Sequence, residues 1–293
     1  MKISLFDSVD PVPELKNPHV FVTIPPWLNA GESARLAVEY LEKLADAQPL
    51  AQISVPGEFF DFTRYRPTVS MVNGESKIEI PNAIARFGSI SASDFIFLRA
   101  PEPHMRSEQY IESILELLKH FNVKRYCLLG SMYEMLPYTR PPFVTSSASN
   151  QLLQNSIEVT GAVPGNYEGP TSIMSLLAQE ARRTGIETLS LVVHLPIYLP
   201  VPADHRGEVR LLEICESLYG IEVPGADLAQ AKEENEQVTA MAEAFLKEHP
   251  QLRFMLTQLE DNYDARVKNR EQVRLSPEIE RFLQDMSRGF EAG

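Results

Sequence analysis

Four short runs constrain the fold of this chain more than any other feature: His19 to Ile24 (HVFVTI), Asp94 to Leu98 (DFIFL), Val123 to Leu129 (VKRYCLL) and Thr188 to Val193 (TLSLVV). Each is rich in apolar, β-branched or aromatic residues and too short for an ordinary helix. A strand with one wet face alternates polar and apolar residues, so runs with little alternation belong to strands buried on both faces. Segments with helical spacing lie between them. One begins near Ser107 and carries Tyr110, Ile111, Ile114, Leu115, Leu118 and Phe121; another begins near Gly31 with Leu36, Tyr40, Leu41 and Leu44 on one face. This alternation predicts an α/β fold, a mostly parallel sheet covered by helices on both faces. A chain of 293 residues with 44% hydrophobic content can bury such a core.

Local punctuation adds further elements. Ala51 to Val55 reads as a strand, and Asn73-Gly74 predicts a hairpin joining Thr68–Val72 to Ser76–Ile80, since Asn-Gly supplies the positive φ angles of a two-residue turn. Gly130 ends the Val123 strand, and Ile157 to Ala162 is a candidate strand. Gly169-Pro170-Thr171-Ser172 opens a helix that closes with Arg182, Arg183 and Gly185. Gly207 to Tyr219 and Asp227 to about Glu248 read as helices, the second with Val238, Met241 and Phe245 on one face. Ser276-Pro277-Glu278 starts a last amphipathic helix reaching about Arg288, with Ile279, Phe282, Leu283 and Met286 apolar. We therefore expect an α/β core over residues 1–225 and a C-terminal helical extension over 226–293, packed on the same core.

Charge and cysteine usage exclude several function classes. A formal charge of -13 repels phosphate backbones and anionic lipid, so neither nucleic acid nor a membrane surface is an expected partner. Cys127 and Cys215 lie in apolar runs without disulfide or metal-knuckle spacing and read as reduced core residues. Six histidines without a close pair give no metal site. Met1 to Pro13 carries acids and prolines where a secretory signal needs a basic end and an apolar stretch, which points to the cytoplasm. The chain has no Gly-rich phosphate loop, no Gly-x-Gly-x-x-Gly turn and no Gly-x-Ser-x-Gly elbow, so no cofactor is expected and no catalytic residue is assigned.

Ligands of open α/β sheets bind beyond the carboxyl ends of the strands. Glu102 and His104 follow the Asp94 run; Glu134, Tyr138 and Arg140 follow the Val123 run; His194 follows Val193, and Thr171 begins a helix after Glu168. A Glu and a His together suit acid–base work, and Glu102 between prolines suits loop ordering equally. His194 in an apolar run reads as a hydrogen-bonded core residue. Arg64 and Arg66 flank Tyr65 at alternate positions, so in an extended segment both point one way, toward a ligand anion or the acids of a neighbouring subunit. Arg64, Arg66, Glu102, His104, Arg140, Glu168, Thr171 and His194 are thus the candidate ligand-binding or interface residues.

Six segments occur in an order that carries a family likeness: Phe59-Phe60-Asp61-Phe62 with Arg64-Tyr65-Arg66-Pro67, Ala100-Pro101-Glu102-Pro103, Pro137-Tyr138-Thr139-Arg140-Pro141, Tyr167-Glu168-Gly169-Pro170-Thr171-Ser172, Leu195-Pro196-Ile197-Tyr198 and Leu259-Glu260-Asp261-Asn262-Tyr263-Asp264. Together they resemble the bacterial branch of the proteasome assembly chaperone 2 family. The resemblance implies a core akin to nucleoside phosphorylases, a phosphorylase/hydrolase-like arrangement, in a homo-oligomer, with a trimer the first choice, that binds or assembles a protein complex. Members have also been labelled relatives of ATP-dependent carboxylate-amine ligases, which would require a nucleotide site. A small-molecule enzyme or sensor using the strand-end pocket is the alternative. Members that dock on proteasome rings end in a hydrophobic residue, a tyrosine and one more residue; this chain ends Gly289-Phe290-Glu291-Ala292-Gly293, so tail docking is not expected.

Overall fold

The computed structural model describes residues 1–72, 74–224, 228–248 and 252–269. Strands β1 (Lys2–Ile3), β2 (Phe6–Ser8) and β3 (His19–Thr23) lead to helix α1 (Ser33–Leu44). Next come β4 (Gln48–Ile53), β5 (Thr68–Val72), β6 (Glu75–Glu79), β7 (Ile84–Ile90), β8 (Ser93–Arg99), α2 (Ser107–His120) and β9 (Arg125–Glu134). They are followed by β10 (Phe143–Ala148), α3 (Gln151–Glu158), β11 (Val163–Pro164), α4 (Ile173–Arg183) and β12 (Glu187–Pro196). Helices α5 (His205–Tyr219), α6 (Leu228–Glu248) and α7 (Leu252–Asn269) complete the described chain.

Ten strands form one sheet in the order β1-β2-β4-β7-β8-β3-β9-β12-β10-β11, and β5 with β6 form a separate two-stranded sheet. The large sheet is mixed. β3 runs parallel to β8 and β9, and β10 parallel to β11, whereas β1–β2, β2–β4, β4–β7 and β7–β8 are antiparallel. The apolar runs at His19, Asp94 and Val123 mark the parallel β8-β3-β9 centre. The antiparallel wing escaped them because only two residues, Ser91 and Ala92, separate Ile90 of β7 from its partner Ser93 of β8, and Ser91 has φ of 55° without the usual Asn or Gly.

The described chain divides into two compact units: Met1–Leu28, Val38–Leu129 and Gly169–Leu189 form one, and Asn29–Ala37, Gly130–Glu168 and the residues from Ser190 onward the other. In the first, Val20, Val22, Ile96 and Leu98 belong to one cluster with Tyr110, Ile114 and Leu118 of α2 and Met174 and Leu177 of α4. Phe21, at the alternate position and also buried, stacks at 5.5 Å on Phe95 and 6.2 Å on Phe97. Both faces of β3 and β8 are therefore buried, as near-continuous apolar runs require.

Several local expectations change. Ile157 to Ala162 is not a strand: Asn150 caps α3 by accepting the Leu153 N–H at 2.8 Å, and Leu153 and Ile157, four residues apart, are the buried pair of that helix. The chain turns at Gly161, φ 85°, into β11. β9 continues through Gly130 to Glu134. In α1 the buried line is Ser33, Ala34, Ala37, Val38 and Leu41, while Leu36, Tyr40 and Leu44 are half-buried. In α6 Val238 and Ala242 are buried and Met241 is exposed; the Phe245 side chain lies outside the described residues. So do Asn73, the helix expected over Ser276–Arg288 and the tail Phe290–Gly293. Cys127 and Cys215 are buried and form no disulfide. Among the described residues no helix is long and apolar enough to cross a membrane.

Candidate functional site

The sequence-predicted residues fall into separate local settings. The first is built on the loop after β4. Phe59 and Phe60 are buried against Tyr110 of α2, with ring centroids 5.6 and 5.9 Å away, and so anchor the loop from below. The Phe59 carbonyl accepts the His104 and Met105 N–H groups at 2.8 and 3.2 Å, binding a second loop to the first. The His104 ring is held by the Asp61 N–H, which donates to its Nδ1 at 3.2 Å, and by Tyr65, whose ring meets it edge-on at 4.4 Å. Burial, and then the charge of Glu102, push the Tyr65 phenol above its ordinary range.

Between these loops is an open depression of about 500 Å³, lined by Gly57, Phe60, Asp61, Phe62, Arg64, His104 and Met105. Phe60, Phe62 and Met105 are its apolar lining, and Asp61, Arg64 and His104 its polar lining. Thr63 donates both its N–H and its hydroxyl to Asp61 Oδ1, at 2.8 and 2.7 Å, which holds that carboxyl below the usual carboxylate range. Arg64 is not in extended chain: its N–H and that of Tyr65 return to the Asp61 carbonyl at 3.0 and 2.9 Å, closing a turn, and its guanidinium lies 3.7 Å from the Asp61 carboxylate. Arg66 lies beyond the turn, exposed, with no ion pair among the described residues.

Glu102 has a structural role that explains its place between prolines. Its Oε1 accepts the Ile173 N–H at 2.8 Å, so this distant carboxylate, and not the side chain of Ser172, caps α4. A negative group at a helix N-terminus satisfies a free donor and meets the positive end of the dipole. Thr171 is exposed with its hydroxyl 2.5 Å from that of Ser175, and Glu168 is exposed with no ion pair among the described residues.

In the second unit Arg140 grips α7. It donates from Nε and Nη2 to the two carboxylate oxygens of Asp264 at 2.9 and 2.8 Å, and from Nη1 to Glu260 at 3.3 Å. Asp264 is held below the usual carboxylate range by that bidentate bond, which also strengthens the hold of Arg140 on its proton. The Leu259–Asp264 segment thereby gains a physical meaning: Glu260, Tyr263 and Asp264 share one face of α7, with Tyr263 packed edge-on to Phe143 at 5.7 Å.

His194 of β12 is buried between two polar groups from neighbouring strands. Its Nε2 is 2.8 Å from Thr145 Oγ1 on β10, and its Nδ1 is 2.5 Å from Glu134 Oε2 at the end of β9, close but off the line of a straight ring N–H bond. The other oxygen of Glu134 accepts from Arg266 of α7 at 2.7 Å, and that guanidinium lies 4.0 Å over the Phe143 ring. Burial pushes the Glu134 carboxyl up, but His194 and Arg266 together outweigh it and leave it below its usual range. A hydroxyl, an imidazole and a carboxylate in series resemble an acid–base chain in outline. Here the carboxylate is already neutralised by Arg266, which makes it a poor proton acceptor and a firm brace for α7. Thr145 and Arg266 had no local signal in the sequence, because strand register brings Thr145 beside His194 and an unforeseen helix delivers Arg266. Among the described residues no group of three or more His, Cys, Asp or Glu side chains is placed to hold a metal ion.

An α/β chain with a mixed ten-stranded sheet and C-terminal helices, whose polar clusters tie loops and helices together, defines the class. Residues 23–242 match the PAC2 family, and the chain belongs to that family. No curated protein matches. Among solved structures, a protein of unknown function from Corynebacterium glutamicum is similar with a TM-score of 0.77 at 19% identity, over 92% of this chain and 100% of that one. A PAC2 family protein from Streptomyces avermitilis gives 0.71 at 25% identity, over 79% and 98%. A Mycobacterium tuberculosis proteasome-assembly chaperone homologue gives 0.68 at 27% identity, over 75% and 94%.

Proposed function

We propose that this chain is a non-catalytic, homo-oligomeric protein-binding factor of the assembly-chaperone kind, acting in the cytoplasm on itself and on a protein complex. The observation that carries this reading is the open depression lined by Phe60, Phe62 and Met105 together with Asp61, Arg64 and His104: apolar side chains beside polar ones suit a side chain or loop of a protein partner. The name of the M. tuberculosis homologue supports the same reading. On the family resemblance we further infer a phosphorylase-like core and three subunits.

Sedimentation or light scattering should return a mass near three times the 33.0 kDa of one chain. Replacing Arg64 and Arg66 with alanine should weaken assembly, or the retention of a protein captured from native lysate by the parent chain. A monomeric parent would overturn the oligomer, and unchanged mass, capture and thermal stability in the double variant would overturn the role of the two arginines. A second reading, a small-molecule enzyme or sensor, is favoured by the Thr145–His194–Glu134 series alone. An ordered metabolite against Thr145 in an experimental map would favour it over the first.

A further inference from the structure

The hydrogen-bonding groups of the depression after β4 are unequally used. Its frame is fixed: Phe59 and Phe60 anchor one loop on Tyr110, and the Phe59 carbonyl binds the second loop. Thr63 gives two hydrogen bonds to Asp61 Oδ1, so one oxygen of that carboxylate is already engaged. His104 accepts the Asp61 N–H at Nδ1, which in the neutral ring puts its proton on Nε2, and that donor has no partner among the described residues. The Arg64 guanidinium makes no hydrogen bond among the described residues; its one ion contact, with Asp61 Oδ2, is 3.7 Å long, and its side chain is 73% exposed. Arginines elsewhere in this acidic chain are better engaged: Arg99, Arg125, Arg140 and Arg266 each donate to a carboxylate at 2.8 Å or less. Two unspent donor groups therefore share one depression with Phe62 and the exposed Met105.

We propose that this depression takes an acidic segment of a partner protein, in which an Asp or Glu side chain neighbours an aliphatic or aromatic one. The inference rests on the reading above that a protein partner fills the depression, and it names that partner's chemistry. The incoming carboxylate meets the Arg64 guanidinium and the His104 Nε2–H, while the neighbouring apolar side chain covers Phe62 and Met105. An internal acidic residue suits the site better than a chain end, because the depression is open and a continuous backbone can cross it. Asp61 is the opposing charge, and it is offset by Thr63 on one oxygen and Arg64 beside the other. The net charge of -13 also opposes an acidic partner, but it is screened beyond about 8 Å at physiological salt, whereas the two donors act at contact. Gly57 borders the same space: a Cβ there would lie 3.4 Å from the Phe62 ring, and its φ is not positive, so the backbone accepts a side chain that fills the depression.

The test titrates the full chain with acetyl-Gly-Leu-Glu-Gly-amide, its Gln and Lys counterparts, and the Gln peptide with a free carboxyl end, each at millimolar concentration and read by saturation-transfer NMR. The Glu peptide should bind tightest. Arg64→Ala, at an exposed position, should keep the parent's circular dichroism and weaken the Glu peptide about fivefold while leaving the Gln peptide unchanged. Asp61→Asn keeps the side-chain shape and removes the opposing charge, so it should tighten the Glu peptide. Gly57→Leu should abolish binding of every peptide. Equal affinity for the Glu and Gln peptides, a preference for the Lys or free-ended peptide, or a Glu affinity unchanged in Arg64→Ala overturns the acidic segment; loss of binding in Gly57→Leu would then keep the depression as the partner site. If no peptide binds the parent, or Gly57→Leu leaves every affinity unchanged, the inference and the reading of the depression fall together. A fall in the sedimentation mass of Gly57→Leu would make another copy of this chain the occupant and overturn the separate partner.

Discussion

Glu134 is the residue on which the second unit's polar network turns. Its carboxylate faces His194 through one oxygen and Arg266 through the other, and their pull leaves the folded-state pKa below the usual value in spite of burial. A carboxyl depressed on folding stabilises the protein fully above its unfolded pKa of about 4.3, and that contribution is lost as pH falls through the folded value. We expect the melting temperature to fall on acidification below about pH 4.3, and the part of that slope due to Glu134 to disappear in Glu134→Gln. At neutral pH the variant should be less stable by about 1–3 kcal/mol, because Arg266 keeps a largely buried charge with no carboxylate opposite. Urea titrations of parent and variant at neutral and acid pH measure both effects. Equal acid slopes would show that Glu134 does not titrate as the geometry requires. Glu102 teaches a complementary lesson: a Glu and a His two residues apart suggest acid–base chemistry, but Glu102 accepts from the first N–H of α4 while His104 accepts from Asp61.

At the scale of elements, the most consequential addition is α7. Its apolar spacing is weak, and the signal that it packs at all is Arg140, more than a hundred residues earlier, which holds Asp264 and Glu260. Replacing Arg140 with alanine should release that grip. Amide exchange should then speed up across residues 252–269, while α2, held by Tyr110, Ile114 and Leu118 in the core, keeps its protection. Unchanged exchange in α7 would mean that Arg266 and Tyr263 suffice to hold it. The hairpin is the opposite case: its two strands follow from alternation on either side of Asn-Gly, and nothing local reveals that every residue of both is exposed.

For the whole molecule, a net charge of -13 bears on assembly. Copies carrying that charge repel at long range, and the two arginines proposed to support assembly, Arg64 and Arg66, offset only a small part of that repulsion. Raising salt from about 0.1 M to about 1 M shortens the Debye length from about 10 Å to about 3 Å and removes most of the repulsion. Self-association measured by sedimentation should therefore tighten with salt. Weakening with salt would point instead to an interface dominated by arginine–carboxylate pairs.

Sequence alone determined the features that depend on neighbours along the chain. The buried strands at His19, Asp94, Val123 and Thr188, the α2 stripe, the ends of α4 and the hairpin are all legible because side-chain period, capping and turn chemistry act over a few residues. Membership of the family was legible in six segments whose order survives as spacing. Only the tertiary structure decided the antiparallel wing of β2, β4 and β7, the extension of β9 to Glu134, and the settings of the candidate residues. Arg64 joined a turn, Glu102 a helix end, Arg140 an unforeseen helix, and His194 a strand-to-strand network. Strand order and register arise from contacts between distant segments, and a register shift of one residue turns each side chain to the opposite face. Which polar groups meet is therefore settled only when the whole sheet is assembled.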